Sequence, residues 1–177
     1  VGGGETIVRE LTRAAQAAGV RFRYGCKAER LVLDAQGAIA GLGVIGANGA
    51  SETLPADAVV LACGGFQGDA GMLQRHLGPG GEALRLISPG TALNTGDGIR
   101  MALDAGARPS GDWNGMHIEP IDPRSANPAP VVLVYPYGIV VDRTGNRFFD
   151  EGAGLVHETW EAFARAIHFK APGRKVY

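Results

Sequence analysis

The sequence has little of what would cross-link it, anchor it in a membrane or bring it to nucleic acid. Its 177 residues include two cysteines, Cys26 and Cys63, too few for a disulfide framework or a zinc site. No apolar run approaches the roughly 20 residues that cross a bilayer, so no transmembrane segment is predicted. Lysine and arginine number 17 against 18 aspartate and glutamate, and this balance argues against nucleic acid as a partner.

A start signal is missing as well. The chain opens at Val1 without a methionine, a basic leader or a hydrophobic signal segment. We therefore interpret it as a fragment of a longer protein. Two cysteines without disulfide spacing fit a reduced, cytoplasmic location, and no metal site is expected.

Glycine, in contrast, is abundant, with 28 residues where a usual share of about 7% would give about 12. A helix is predicted over 5–18, after Gly2-Gly3-Gly4, because apolar residues recur there at helical spacing. Strands are predicted over 20–24, 29–33, 38–45 and 51–54. The last three of these strands form an antiparallel meander.

The run AVVLAC over 58–63 is continuous and apolar, as expected of a strand buried on both faces of a parallel sheet. GGFQG and a helix over 68–77 follow it. Glycines in such a turn let backbone N–H groups approach a phosphate or a ribose closely. The spacing is not the GxGxxG of a dinucleotide fingerprint, so a tight turn without a ligand is the alternative.

A second glycine loop, NTGDG over 94–98, opens a helix that ends near Gly106. One interpretation is that its backbone N–H groups face an electron-rich ligand. The alternative is an ordinary capped helix, with Asn94 or Thr95 as the cap and Asp97 in the first turn.

The stretch from Trp113 to Pro136 is irregular and rich in proline. We therefore predict a change of domain near residue 110. His117 lies in this stretch, where catalytic residues often occur. A plain surface position is the alternative interpretation of His117.

The last part of the chain is predicted to form a strand over 138–142, a turn back through 147–149 and a helix over 159–167. Asp150 and Glu151 follow an apolar pair of phenylalanines. They either bind a substrate at the edge of a domain or only cap the segment that follows.

Three signatures occur in order along the chain: AVVLACGGFQGD, NTGDGIRMALDAGA and GIVVDRTGNRFFDEG. With them, the chain resembles the succinate dehydrogenase and fumarate reductase flavoprotein family. FDEG, followed by a helix with Trp160 and Phe163, is most similar to the tricarballylate dehydrogenases of that family. The resemblance implies an α/β fold of mixed α+β character. Residues 1–110 would be part of a Rossmann-like FAD-binding domain with an antiparallel meander, and residues 111–177 would begin a substrate capping domain.

The resemblance also implies FAD as cofactor, a carboxylate substrate and hydride transfer between flavin N5 and a carbon next to the carboxylate. Matched by position, the cofactor-binding residues are Ala28 at the adenine, Ala62, Cys63, Gly64 and Gly65 at the ribose and pyrophosphate, and Thr95, Gly96, Asp97 and Gly98 beside the isoalloxazine. His117 matches a histidine that hydrogen-bonds a substrate carboxylate. Asp150 and Glu151 match an acidic pair that opens the segment bearing a proton-transfer arginine.

One position departs from the family pattern. The arginine would stand four residues after Glu151, where this chain has Leu155. The departure argues against fumarate reduction, because an arginine fork orients a carboxylate and relays a proton. His157 is a candidate replacement, with a solvated residue at a helix start as the alternative. The predicted catalytic residues are therefore His117, Glu151 and His157.

Two other functions stay open at this point. A ketosteroid dehydrogenase-like flavoenzyme would need tyrosines for proton abstraction, for which Tyr135 and Tyr137 are candidates. A non-catalytic nucleotide-binding module would work without flavin. The family's GxGxxG unit is not among these residues, so we expect the fragment alone to bind FAD weakly and to be inactive. The electron acceptor is unknown, and a homo-oligomer is one alternative for the assembly.

Overall fold

The chain divides between Val60 and Leu61 into two units, which are described separately. The computed structural model describes residues 3–126 and 131–177. These residues form helices and an antiparallel sheet, a mixed class that agrees with an FAD-binding domain. No helix within these two ranges is long and apolar enough to cross a membrane. The domain division near residue 110 stays a prediction.

The first unit begins with helix α1 (Gly3–Ala17), which confirms the predicted amphipathic helix. Gly19 ends the turn after it in the left-handed region, with φ 85°, and Val20 N then donates to Ala15 O at 3.0 Å. Glycine is favoured there because it has no β-carbon to clash in that conformation.

The antiparallel meander of the first unit is also confirmed. Its strands are β1 (Cys26–Leu33), β2 (Ile39–Gly46) and β3 (Ser51–Pro55), paired in the order β1-β2-β3. Leu42 in the central strand lies opposite Leu31 on one side and Leu54 on the other. Asp34 shapes the first turn by accepting hydrogen bonds from two backbone N–H groups, each at 2.9 Å.

Two predicted strands are not formed. Residues 20–24 and 58–63 have no strand pairing, and the second run, predicted to be buried, is open to solvent, with Val60 exposed to 90%. A strand persists only where a neighbouring strand takes its backbone hydrogen bonds. Within the described ranges the one sheet consists of β1, β2 and β3, so the predicted parallel strand is wrong for these residues and the Rossmann-like sheet is not confirmed.

The helices of the second unit confirm the predicted ones, with small shifts at their ends. They are α2 (Ala70–Leu77), α3 (Asp97–Asp104) and α4 (Val156–Lys170). Asp69 caps α2, because its Oδ1 accepts from Met72 N at 2.8 Å.

The core of the second unit lies against α4 and is largely aromatic. Tyr135, Val140 and Phe163 are buried, and Phe149 and Trp160 pack around them. The strand predicted over 138–142 is reduced to isolated bridges. The stretch 113–136 is irregular where it is described, and residues 127–130, with two of its prolines, lie outside the described residues.

Candidate cofactor and substrate sites

The two glycine loops of the second unit are joined to each other. Gly96 N donates to Gly65 O at 3.0 Å, and Gly68 N donates to Asn94 O at 2.9 Å. These bonds link the GGFQG turn to the NTGDG loop across about 30 residues of chain. Two segments that the sequence predicts separately as ligand-binding therefore form one edge.

Several glycines at this edge are required by the contact between the loops. A β-carbon at Gly68 would lie 2.5 Å from the carbonyl oxygen of Ala92, and one at Gly96 would lie 2.5 Å from Met72 Sδ. At Gly98 a β-carbon would collide with Cys63 Sγ. The glycines thus let the chain approach itself, which is a different reason from the close approach to a phosphate that the sequence predicts.

The outer side of the same edge fits a cofactor. Ala62, Cys63 and Gly64 are exposed and carry small side chains. The position of a β-carbon on Gly65 meets only the end of the flexible Gln67 side chain, at 2.9 Å. At Gly64 the corresponding position meets the side chain of Asn94, also at 2.9 Å.

Helix α3 is held by a guanidinium rather than by a side-chain cap. Gly96, at φ 77°, occupies the cap position, so the predicted capping by Asn94 or Thr95 is wrong. Thr95 Oγ1 instead donates to Asp97 Oδ2 at 2.9 Å. Arg100 Nη1 donates to Thr95 O at 2.7 Å, and Arg100 Nη2 pairs with Asp97 Oδ1. Sequence reasoning missed Arg100, although its i,i+3 spacing from Asp97 is a signal for such a pair.

Ala28 lies in β1 of the first unit, opposite Val44 of β2. Its side chain is half-buried in the sheet. The contact with adenine stays a prediction.

His117 contacts α4 through the carboxylate of Glu161 and the indole of Trp160, and the carboxylate of Glu119 lies near its other nitrogen. Its Nδ1 is hydrogen bonded to Glu161, its Nε2 lies 3.4 Å from Glu119 Oε1, and its ring meets Trp160 edge-on at 5.8 Å. The bond to Glu161 is the main cause that raises the pKa of His117, and the charge of Glu119 adds to it. The side chain is exposed to 62%, so an imidazole whose protonated form is favoured lies at the surface.

Glu151 is buried, with 4% exposure, and is engaged by its own chain. Its Oε1 accepts from Val140 N at 2.6 Å, and its Oε2 accepts from Arg147 Nε at 3.0 Å. The Val140 N–H and the Arg147 guanidinium lower the pKa of Glu151 to about 2. A carboxylate held in this way anchors a turn and has no proton to give at neutral pH. Its predicted catalytic role stays a prediction.

His157 is exposed in the first turn of α4. It precedes Glu161 by four residues, so the two share a face of the helix. The described contacts do not join His157 to His117. Asp150, in turn, accepts from Gly152 N at 3.1 Å, which agrees with the capping alternative for that residue.

The two tyrosines have opposite environments. Tyr135 is buried, and its hydroxyl lies 2.5 Å from Thr159 Oγ1 and 3.3 Å from the carbonyl oxygen of Val156. Tyr137 is exposed to 91%. Tyr135 therefore stabilises the core beside α4.

Two glycine-rich loops that hold each other by backbone hydrogen bonds, with an exposed backbone at residues 62–64, are typical of a nucleotide-binding protein. Residues 1–175 match the model of a family described as FAD binding domain. The chain belongs to this family of FAD-dependent oxidoreductases, and its cofactor is FAD.

Among curated proteins, the chain is similar to a 4-oxocyclohexanecarboxylate 2-dehydrogenase from Sinomonas cyclohexanicum. The two are 35% identical over 160 residues, which cover 84% of this chain and 27% of that protein. The chain thus spans about a quarter of the length of this relative.

Solved structures are similar as well. An open conformation of a flavocytochrome c3 fumarate reductase matches with a TM-score of 0.69 and 25% identity, over 96% of this chain and 28% of that one. A 3-ketosteroid Δ1-dehydrogenase from Sterolibacterium denitrificans matches with a TM-score of 0.69 and 27% identity. The match covers 89% of this chain and 28% of that one. A 3-ketosteroid-Δ4-(5α)-dehydrogenase from Rhodococcus jostii RHA1 shares the fold, with a TM-score of 0.63 and 24% identity. The match covers 91% of this chain and 30% of that one.

Proposed function

We propose that the whole protein transfers hydride between FAD and a carbon next to the carboxylate of a di- or tricarboxylate. The reaction would be of the tricarballylate dehydrogenase, fumarate reductase or succinate dehydrogenase kind. The observation that carries this proposal is the exposed His117 ring, whose pKa is raised by Glu161. An imidazolium donates a charge-assisted hydrogen bond to a carboxylate, which is stronger than a neutral one.

The residues of this chain would divide the work between cofactor and substrate. When bound, FAD supplies the acceptor or donor of the hydride. Ala28 would contact the adenine, residues 62–65 would lie along the ribose and pyrophosphate, and residues 95–98 would lie beside the isoalloxazine. The exposed small residues at 62–64, and the backbone hydrogen bonds that join this turn to the 94–98 loop, support the part of this assignment that lies in the second unit.

His117 would bind the substrate through one ring nitrogen. Glu161 holds Nδ1 and so orients the ring, which leaves Nε2–H as the donor toward the substrate. Glu119 Oε1 lies 3.4 Å from Nε2 and holds it less closely than Glu161 holds Nδ1. A substrate carboxylate would take the place of Glu119. His157, on the same face of α4 as Glu161, would be the group that gives or takes the proton.

A cyclic ketone is the second candidate substrate, and the same contacts favour it. Both nitrogens of His117 face carboxylates of the protein, and a substrate with several carboxylates would add like charges there. A neutral ketone oxygen accepts from Nε2–H without that repulsion. The relatives named for 4-oxocyclohexanecarboxylate and for ketosteroids support this alternative.

Turnover by the full-length protein tests both candidates. Its oxidised flavin is mixed with the saturated compounds, namely tricarballylate, succinate, 4-oxocyclohexanecarboxylate and saturated ketosteroids, and its reduced flavin with the corresponding compounds that carry a C=C bond, such as fumarate. For a carboxylate substrate we expect His117→Ala to lower kcat/KM at least about tenfold. The kcat/KM of His117→Gln, which keeps a neutral donor, should lie between the values of wild type and His117→Ala. Unchanged kcat/KM in both variants would remove His117 from the site.

The 177-residue chain by itself is a separate case. It spans about a quarter of the length of its relatives, and we propose that it binds FAD weakly and has no turnover alone. A yellow sample with stoichiometric flavin would contradict this. A cytoplasmic location and a homo-oligomer stay predictions.

A further inference from the structure

Arg100 of α3 connects three parts of the second unit. Its Nη1 donates to Thr95 O at 2.7 Å and lies 3.4 Å from Asp69 Oδ2 at the start of α2. Its Nη2 pairs with Asp97 Oδ1. The guanidinium thus contacts the loop before α3, the first turn of α3 and the cap of α2.

Arg100 supplements the two backbone hydrogen bonds that hold this loop, because no side-chain cap does so at the start of α3. Gly96 takes the cap position in the left-handed region, at φ 77°, and contributes no side chain. Arg100 Nη1 orients the Thr95 carbonyl by donating to it, and the Thr95 hydroxyl is oriented by donating to Asp97. Removing the guanidinium would leave the Thr95 carbonyl without this donor, so that the peptide between Thr95 and Gly96 is held only on its N–H side, by the bond from Gly96 N to Gly65 O.

The same guanidinium balances charge. Asp69 and Asp97 are two carboxylates close to the edge where the anionic dinucleotide would lie. Without a cation beside them, their charges would disfavour an anionic ligand along this edge, since like charges repel. Arg100 is the cation that faces both carboxylates.

We propose that Arg100 is a positioning residue that neutralises Asp69 and Asp97 and fixes the 95–98 loop for binding FAD. This inference rests on the proposed placement of that loop beside the isoalloxazine. Nothing in it requires Arg100 to touch the cofactor or the substrate.

The first test measures FAD affinity in the full-length protein. Arg100→Gln should raise the Kd for FAD at least about tenfold, because it removes both the charge and the fork. Arg100→Lys should restore part of the affinity, since an ammonium keeps the charge but lacks the planar fork. Asp97→Asn combined with Arg100→Gln should also restore part of it, because one of the two negative charges beside the loop is gone. Arg108→Gln removes the same charge from an exposed position just beyond α3 and should leave the Kd unchanged.

The second test measures the potential of the bound flavin, which a merely structural role would not move, and the hydrogen exchange of the loop's own amides, which reports how firmly the loop is held. The midpoint potential of the bound flavin should become more negative in Arg100→Gln and stay unchanged in Arg108→Gln. Hydrogen exchange at the amides of residues 95–98 in the apoprotein should be faster in Arg100→Gln alone. Arg100 is 44% exposed in its side chain, and exposed ion pairs add little to stability, so the apoprotein of Arg100→Gln should melt close to wild type.

The outcomes separate this inference from the proposed function. A wild-type protein that binds FAD, with equal Kd, potential and exchange in Arg100→Gln, would overturn the role of Arg100 while the cofactor assignment stands. Slower turnover with normal flavin binding would also overturn it. If Arg100→Gln does not fold, the Kd for FAD is compared in Arg100→Lys and in the double variant instead. A wild-type Kd in Arg100→Lys, together with no recovery of FAD affinity in the double variant, would overturn the inference. A wild-type protein that binds FAD but acts on none of the tested acids or ketones would refute the proposed reaction and leave this test intact.

Discussion

The Nδ1 of His117 is hydrogen bonded to the carboxylate of Glu161, which lies 44 residues further along the chain on α4. This bond raises the pKa of His117 above its usual 6.5. A group whose pKa is higher in the folded state stabilises the fold fully below its unfolded pKa. That contribution is lost as the pH rises through the folded value. The segment with His117 is therefore fastened to α4 more firmly in weak acid than above neutral pH.

Glu161→Gln should lower the pKa of His117 toward 6.5, because the main cause of the shift is removed and only the charge and hydrogen bond of Glu119 are left to raise it against the effect of burial. The measurement is an NMR titration of the His117 ring protons in the 177-residue chain. Glu158→Gln is the matched control, since Glu158 is on the same helix but accepts from Leu155 N. An unchanged titration midpoint in Glu161→Gln would show that the bond does not persist in solution.

The contact between the glycine loops predicts a steric cost at one position. Gly68→Ala should lower the free energy of unfolding by about 1–3 kcal/mol, because its β-carbon would lie 2.5 Å from a backbone oxygen that cannot swing away. Gly90→Ala is the control, since nothing lies within 4 Å of its β-carbon position. Urea denaturation measures both variants. Equal midpoints for the two would mean that the loops do not approach each other this closely.

Local patterns were sufficient to predict the helices and the meander. The apolar spacing of α1, the glycine ends of the helices and the turn at Asp34 are all determined by residues close in sequence. The strands predicted over 20–24 and 58–63 failed for the opposite reason. Their formation depends on a partner strand, and the described residues place none beside them.

The candidate sites show the same limit. Each glycine loop could be found from its own residues, but their hydrogen bonds to each other could not. Arg100 reaches Asp69 across 31 residues, and His117 reaches Glu161 across 44. These pairs result from packing between helices and loops, and a single sequence contains no local signal for them.

Tyr135 provides a prediction about the rival steroid-like mechanism. Its hydroxyl is buried among Thr159 and the carbonyl of Val156, so Tyr135→Phe should cost about 1 kcal/mol of stability through the lost hydrogen bond. It should leave the turnover number of the full-length enzyme unchanged. Tyr137→Phe, at a residue exposed to 91%, should change neither stability nor turnover. A large fall in turnover with Tyr135→Phe alone would instead favour Tyr135 as a proton-abstracting residue.

Glu151 predicts how the second unit loses stability in acid. Its pKa is lowered to about 2 by the Val140 N–H and by Arg147. A lowered pKa means that the stabilisation is complete above the unfolded value of about 4.5 and is lost as the pH falls toward 2. Glu151→Gln removes this titration and the pair with Arg147, so it should lower the melting temperature at pH 7 by several degrees.

The pH dependence separates this anchoring role from a general effect of the substitution. Between pH 7 and pH 3 the wild-type chain should lose more stability than Glu151→Gln, because only the wild-type chain protonates a carboxylate at position 151. Asp150→Asn is the control, since Asp150 is exposed to 73% in its side chain and lies 3.6 Å from the same Arg147. Its loss over this range should match that of wild type. Parallel losses in wild type and Glu151→Gln would mean that the carboxylate at 151 is not ionised and anchored as the structure shows.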